Sequence, residues 1–268
     1  MTQKTAAATR ARPQKGPRRP GLAHAVAVVR SAIYSAAATT YFIVMAAAFA
    51  WVLLLPPEKT GFLLRWWSKG DLVLLRIIVG QKLKVRGRHN LPKGPALIAA
   101  KHQAQWETIA LIPLLPNAVV ILKKELTKIP VFGWYIRYFG MISVDRSAGS
   151  AALKQLAVDA RREVDKGRQI LIFPEGTRQP VGAPPSYKPG AIFLYGQLGV
   201  PMVPVALNSG VLWPRHRFVR YPGTITVSFM PPIPPGLPRA EALARLQSAI
   251  ERETDRLVAE LQADQAAR

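Results

Sequence analysis

The chain has 268 residues, 49% of them hydrophobic and 8% aromatic. It is long enough for one large or two small domains with a buried core, and too apolar for a disordered tail. A formal charge of +22 favours polyanionic partners: nucleic acid, an anionic membrane surface, or phosphorylated and CoA-linked substrates. The absence of cysteine excludes disulfides, thiolate metal sites and cysteine nucleophiles, and the four histidines (His24, His89, His102, His216) have no i, i+4 spacing for zinc.

Residues 1–30 carry Lys4, Arg10, Arg12, Lys15, Arg18, Arg19 and Arg30 with no acid, and their Pro and Gly break any periodicity. This basic leader is expected to be disordered. No charge occurs from Ser31 to Pro57. Within that span "AAATTYFIVMAAAFAWVLLL" (Ala36–Leu55) is long enough to cross a bilayer core of about 30 Å, which takes roughly 20 helical residues. A soluble core helix rarely runs so far without a polar face. The apolar run also continues past "AFA" at 48–50, which weighs against a cleaved signal peptide. The expectation is a retained membrane segment. The next stretch, Phe62–Gly80, mixes aliphatics and the Trp66–Trp67 pair with Arg65, Lys69, Asp71 and Arg76. It reads equally as an interfacial helix or as an amphipathic helix packed on the core. Residues 31–80 together predict a membrane-associated helical hairpin.

From residue 81 to 268 the pattern alternates. Aliphatic runs predict strands at Leu83–Val85, Ala96–Ala100, Val119–Leu122, Met141–Val144, Ile170–Phe173, Met202–Leu207 and Thr224–Phe229. Helices are predicted near Thr108–Leu115, Val131–Phe139, Ala151–Lys166 and Ala191–Gln197, with a last one over Arg239–Gln262. The fold class is α/β: a mostly parallel or mixed central sheet of about seven strands flanked by helices, preceded by the hydrophobic hairpin.

Sites in such folds form where strands end and helices begin. Polar clusters fall at four such places: His102 to Glu107 after "ALIAA"; Arg146 after "GMISV"; Glu175, Gly176, Thr177 and Arg178 after "ILIFP"; and the strand "GVPMVPVAL". Each alone has a plain reading, Glu107 as a helix-start acid, Arg146 as the partner of Asp145, "PEGTR" as a turn.

In order and spacing together they resemble the 1-acyl-glycerol-3-phosphate acyltransferase family. His102-x4-Glu107, Gly140–Arg146, an intact Phe173–Arg178 and Val203-Pro204-Val205 follow one another as in that family, and "KKEL" (123–126) and "YKPGAIFL" (187–194) fit it too. The resemblance covers residues 80–230. Two positions depart from it: the acid is usually aspartate where this chain has Glu107, and Ala104 replaces a frequent serine.

The resemblance implies acyl transfer from an acyl thioester, acyl-CoA or acyl carrier protein, to the sn-2 hydroxyl of lysophosphatidic acid, giving phosphatidic acid. No cofactor is implied; the thioester is a co-substrate. An alcohol needs a base near neutral pH, and a histidine with a carboxylate on its other ring nitrogen supplies one, which assigns His102 and Glu107. Arg146 and Arg178 are expected to hold the acceptor phosphate through bidentate bonds, with Lys123 as a third cation. Glu175 is expected to support the arginines or a substrate hydroxyl, backbone amides near Gly176 to face an oxyanion, and Gly176 and Thr177 to belong to the substrate-binding set. Anionic membrane lipids are expected partners and nucleic acid is not, since no nucleic-acid-binding signature accompanies the charge. Basic flanks on both sides of the apolar run place leader and catalytic domain together on the cytoplasmic face of the cell membrane. Another lyso-lipid acceptor, such as a lyso-ornithine lipid, and a non-catalytic basic membrane or nucleic-acid-binding protein are the alternatives.

Overall fold

The structure, a computed structural model, describes residues 21–145 and 149–267. Helix α1 (Gly21–Ala48) begins inside the segment expected as leader, so residues 21–30 are helical; residues 1–20 lie outside the described part. The Ala- and Val-rich 22–29 favours helix, and Ala27, Ser31 and Tyr34 give it a buried face. The expected unbroken segment Ala36–Leu55 is also corrected. The helix stops at Ala48, residues Ala50–Leu54 form a 3-10 turn, and Leu55 is extended because it precedes Pro56.

Helix α2 (Pro57–Leu74) returns antiparallel to α1 and passes through a π turn, Leu75–Val79, closed by left-handed Gly80. Gly70 leaves room for the Tyr41 ring between the two helices; a Cβ there would stand 2.1 Å from the Tyr41 hydroxyl oxygen and displace it. Helix α4 (Phe132–Tyr138) braces the hairpin tip. Tyr135 donates to the Ala46 carbonyl at 2.8 Å and Tyr138 to the Leu55 carbonyl at 2.9 Å, satisfying acceptors near the ends of the interrupted helix.

All seven expected strands form: β1 (Gln81–Arg86), β2 (Leu97–Ala100), β3 (Ala118–Lys123), β4 (Ile142–Val144), β5 (Gln169–Ile172), β6 (Met202–Leu207) and β7 (Gly223–Phe229). They make one mixed sheet in the order β1-β7-β6-β2-β5-β3-β4. The pair β1/β7 runs parallel within itself and antiparallel to the other five, the break falling between β6 and β7. The carboxyl ends of β2, β3, β4, β5 and β6 therefore share one edge.

Strand alternation splits the core into two layers. Ile98, Ala100, Leu171, Phe173, Val203 and Val205 face the hairpin and α3 (Trp106–Ala110). Leu97, Ala99, Ile170 and Ile172 face α5 (Gly149–Asp165), α6 (Pro189–Leu198) and part of α8 (Arg239–Ala266). A four-residue helix, α7 (Ser209–Leu212), follows β6.

Candidate active site

Strand β2 delivers Lys101 and His102 to the shared edge, and the Lys101 amide still pairs with the Val205 carbonyl at 2.9 Å. The chain then turns through Gln103–Gln105 into α3. Glu107, fully buried, folds back beneath this turn. Its Oε1 accepts from the Gln103 and Ala104 amides and lies 3.0 Å from His102 Nδ1; its Oε2 accepts from the Ser209 hydroxyl at 2.8 Å. The methylene that glutamate has beyond aspartate is absorbed by this return path. Glu107 thus serves the turn and the imidazole at once.

With Nδ1 directed at a carboxylate, the tautomer that fits carries its proton there and leaves a lone pair on Nε2; the His102 side chain is 13% exposed. The ring stacks on Phe173 at 4.1 Å between centroids. Phe173 begins the turn after β5, and the His102 carbonyl accepts from the Gln179 amide at 2.7 Å, so the two strand-end segments hold each other.

The structure places Glu175 elsewhere than expected. It is 0% exposed and pairs with no arginine among the described residues, with Oε1 2.8 Å from Lys101 Nζ and Oε2 accepting from the His102 amide at 2.8 Å. Lys101 Nζ also reaches Glu251 of α8 at 2.8 Å, and Tyr187 donates to the same Glu251 oxygen at 3.1 Å. Burial pushes the Glu175 carboxyl above the ordinary glutamate range, and Lys101 and the His102 amide pull it back. Burial, then the Glu251 and Glu175 carboxylates, push the Tyr187 hydroxyl far up as well, keeping it a donor. This buried cluster anchors the base of the His102 turn.

Gly176 sits at φ +66°, a conformation suited to glycine, and its amide closes the turn on the Phe173 carbonyl at 2.8 Å. That amide is committed to the turn. Thr177 and Arg178 follow, half-buried, and among the described residues no ion pair engages Arg178. Lys123 ends β3, exposed and in register with Val144 of the neighbouring β4. Arg146, two residues beyond Val144, lies outside the described residues. Asp145 pairs with Lys124 at 3.2 Å.

The edge thus gathers His102, Glu107, Arg178 and Lys123. Lys101, Ser209, Glu251 and Tyr187 were not anticipated. The one available signal was a lysine directly after a purely aliphatic strand; Ser209 lies on a helix too short to show periodicity.

The family model described as Acyltransferase matches residues 82–208. The chain is 35% identical over 229 residues to the 1-acyl-sn-glycerol-3-phosphate acyltransferase of Pseudomonas aeruginosa, covering 82% of this chain and 89% of that protein. It is 26% identical over 212 residues to 1-acyl-sn-glycerol-3-phosphate acyltransferase alpha of Mus musculus, covering 75% and 74%. Its fold is similar to the crystal structure of the 1-acyl-sn-glycerophosphate (LPA) acyltransferase PlsC from Thermotoga maritima, with a TM-score of 0.72 and 22% identity over 87% of this chain and 98% of that one. These matches span the His102 turn and the Phe173–Arg178 turn, and the chain belongs to the 1-acyl-sn-glycerol-3-phosphate acyltransferase family.

Proposed function

We propose that this enzyme moves a fatty acyl group from acyl-CoA or acyl carrier protein to the sn-2 hydroxyl of lysophosphatidic acid, releasing phosphatidic acid and the free thiol. The observation that carries the reading is the 3.0 Å contact between His102 Nδ1, on a side chain that is 13% exposed, and the buried Glu107 carboxylate.

His102 Nε2 takes the hydroxyl proton as the oxygen attacks the thioester carbonyl. Glu107 holds the Nδ1 proton and offsets the imidazolium charge. Collapse of the tetrahedral intermediate breaks the carbon–sulfur bond, and the imidazolium returns its proton to the leaving thiolate. No enzyme nucleophile is required. Arg178 and Lys123 at the sheet edge, together with Arg146, bind the acceptor phosphate.

The catalytic domain works on a membrane surface. Among the described residues one helix, Gly21–Ala48, is long and apolar enough to cross a membrane. Its charge-free part, Ser31–Ala48, extends about 27 Å, a little short of a hydrocarbon core of about 30 Å. Antiparallel return through α2 supports a re-entrant or interfacial hairpin with leader and catalytic domain on the cytoplasmic face.

The test is acyl transfer in detergent from labelled acyl-CoA and acyl carrier protein to lysophosphatidic acid, wild type beside His102→Ala. The substitution is expected to lower turnover about 10²- to 10⁴-fold with the fold intact. Activity surviving without His102 would sink the mechanism. Transfer to a different lyso-lipid alone would replace the acceptor.

A further inference from the structure

A cavity of about 720 Å³ opens beside the His102 turn, between the Gln179–Val181 segment, the Pro214–Arg217 loop and the end of α8. Gln103 and Gln179 form its wall nearest the histidine, Gln262 and Gln265 its wall on α8, and Arg215 and Arg217 its rim. None of the lining residues is acidic. The rim loop is a tight turn, closed by the Arg217 amide on the Pro214 carbonyl at 3.1 Å, with His216 at φ +56°.

Gln103 is 1% exposed, and its Oε1 is fixed by the Gly210 amide at 3.1 Å. That contact orients the carboxamide and leaves Nε2 with no acceptor among the described residues. Arg215 Nε and Gln265 Nε2 are likewise buried without one. A buried donor lacking an acceptor is unfavourable, and three of them belong to side chains that line this one cavity. Arg178 does not line the cavity although its neighbour Gln179 does. The cation assigned to the acceptor phosphate is therefore separate.

Resting on the acyl-transfer reading above, we propose that this cavity holds the 4′-phosphopantetheine arm of the acyl donor. The arm's amides meet the glutamine carboxamides on both walls, its phosphate meets Arg215 and Arg217, and its thioester end approaches His102 past Gln103. CoA and acyl carrier protein both present this arm, so one groove serves either.

Arg215→Gln/Arg217→Gln is compared with wild type using acyl-CoA, acyl carrier protein and acyl-pantetheine, which lacks the phosphate. The double variant should raise the KM for phosphate-bearing donors about tenfold or more, leave the KM for the lyso-lipid within about twofold, and erase the preference of wild type for acyl-CoA over acyl-pantetheine. A rise with both phosphate-bearing donors identifies the shared arm, and a rise with acyl-CoA alone identifies CoA; both uphold the site. An unchanged donor KM, or a rise confined to the lyso-lipid KM, overturns it. Should the double variant fail to fold, Arg217→Gln, at an exposed position, is judged by the same criteria. If wild type acylates a lyso-lipid other than lysophosphatidic acid, the acceptor reading fails and the donor test proceeds with that acceptor. If wild type transfers to none, calorimetric titration with CoA decides, loss of binding in the variant supporting the site and equal or absent binding in both proteins overturning it.

Discussion

The His102 turn and the N-terminal hairpin treat their surroundings in opposite ways. At the turn, charged groups are taken out of water and matched: Glu107 has four donors, and Lys101, Glu175 and Glu251 meet within 2.8 Å contacts. On the hairpin, Leu22, Val26, Ile33, Val44 and Trp66 are exposed. One region is built as a dry interior, and the other leaves large apolar side chains exposed. Substitutions should consequently be costly at the turn and quiet on the hairpin's outer face unless a membrane is present.

The sharpest way to break this contrast is Glu107→Gln. The amide oxygen can still accept from the Gln103 and Ala104 amides, but the charge opposite His102 is gone. Turnover should fall about 10²- to 10⁴-fold while the melting temperature moves little, as steady-state rates beside a thermal melt would report. Lys101→Met comes next. It leaves the Glu175 carboxylate, 0% exposed, facing only the His102 amide, and should cost about 3–5 kcal/mol in urea unfolding. If it costs under about 1 kcal/mol, the cluster does not anchor the turn. Ser209→Ala removes one donor of Glu107 and should cost about 1 kcal/mol with a small loss of rate. On the hairpin, Ile33→Ser with Val44→Ser should change detergent stability by no more than about 0.5 kcal/mol per site, yet lower the fraction retained on vesicles of anionic lipid. Unchanged retention would mean that the exposed face is not the membrane contact.

Glu163 offers a smaller pH test away from both regions. Burial raises its carboxyl, but hydrogen bonds and charge from Lys166 and Arg168 more than offset this and hold it below the ordinary range. A depressed folded value means the stabilisation is present above the unfolded glutamate value of about 4.3 and is lost as pH falls through the folded one. Glu163→Gln should flatten part of the acid-side fall in melting temperature, and an identical slope would refute the assignment.

The sheet was legible because its strands are continuous runs such as "LIAA" and "ILI", which only a doubly covered sheet accommodates. Helix α3 was less so. It was expected over Thr108–Leu115, but it ends at Ala110 and gives way to a 3-10 turn containing Pro113, a residue that supplies no amide. The dyad was readable as a spacing, whereas its support was not: Glu251 meets Lys101 across 150 residues, and no local pattern announces such a pairing. Glu175 shows the same limit. A carboxylate in "PEGTR" has no local signal for which way it turns, and only its partners, Lys101 and the His102 amide, reveal that it points inward.

The inner face of the hairpin is as closely fitted as its outer face is bare. Ser31 Oγ accepts from the Arg220 amide at 2.8 Å, Tyr34 donates to buried Asp71 at 2.8 Å, and the Arg220 guanidinium lies 4.7 Å from the Tyr34 ring centre and 4.2 Å from that of Trp213. Anyone wishing to purify this enzyme without detergent would therefore gain nothing by trimming it to residue 81, since the cut strips one wall from the domain and strands Arg220. Repainting is the workable route: exchange Leu22, Val26, Ile33 and Val44 for polar residues and leave Ser31, Tyr34 and Asp71 alone. The repainted chain should keep its melting temperature where the trimmed one loses it.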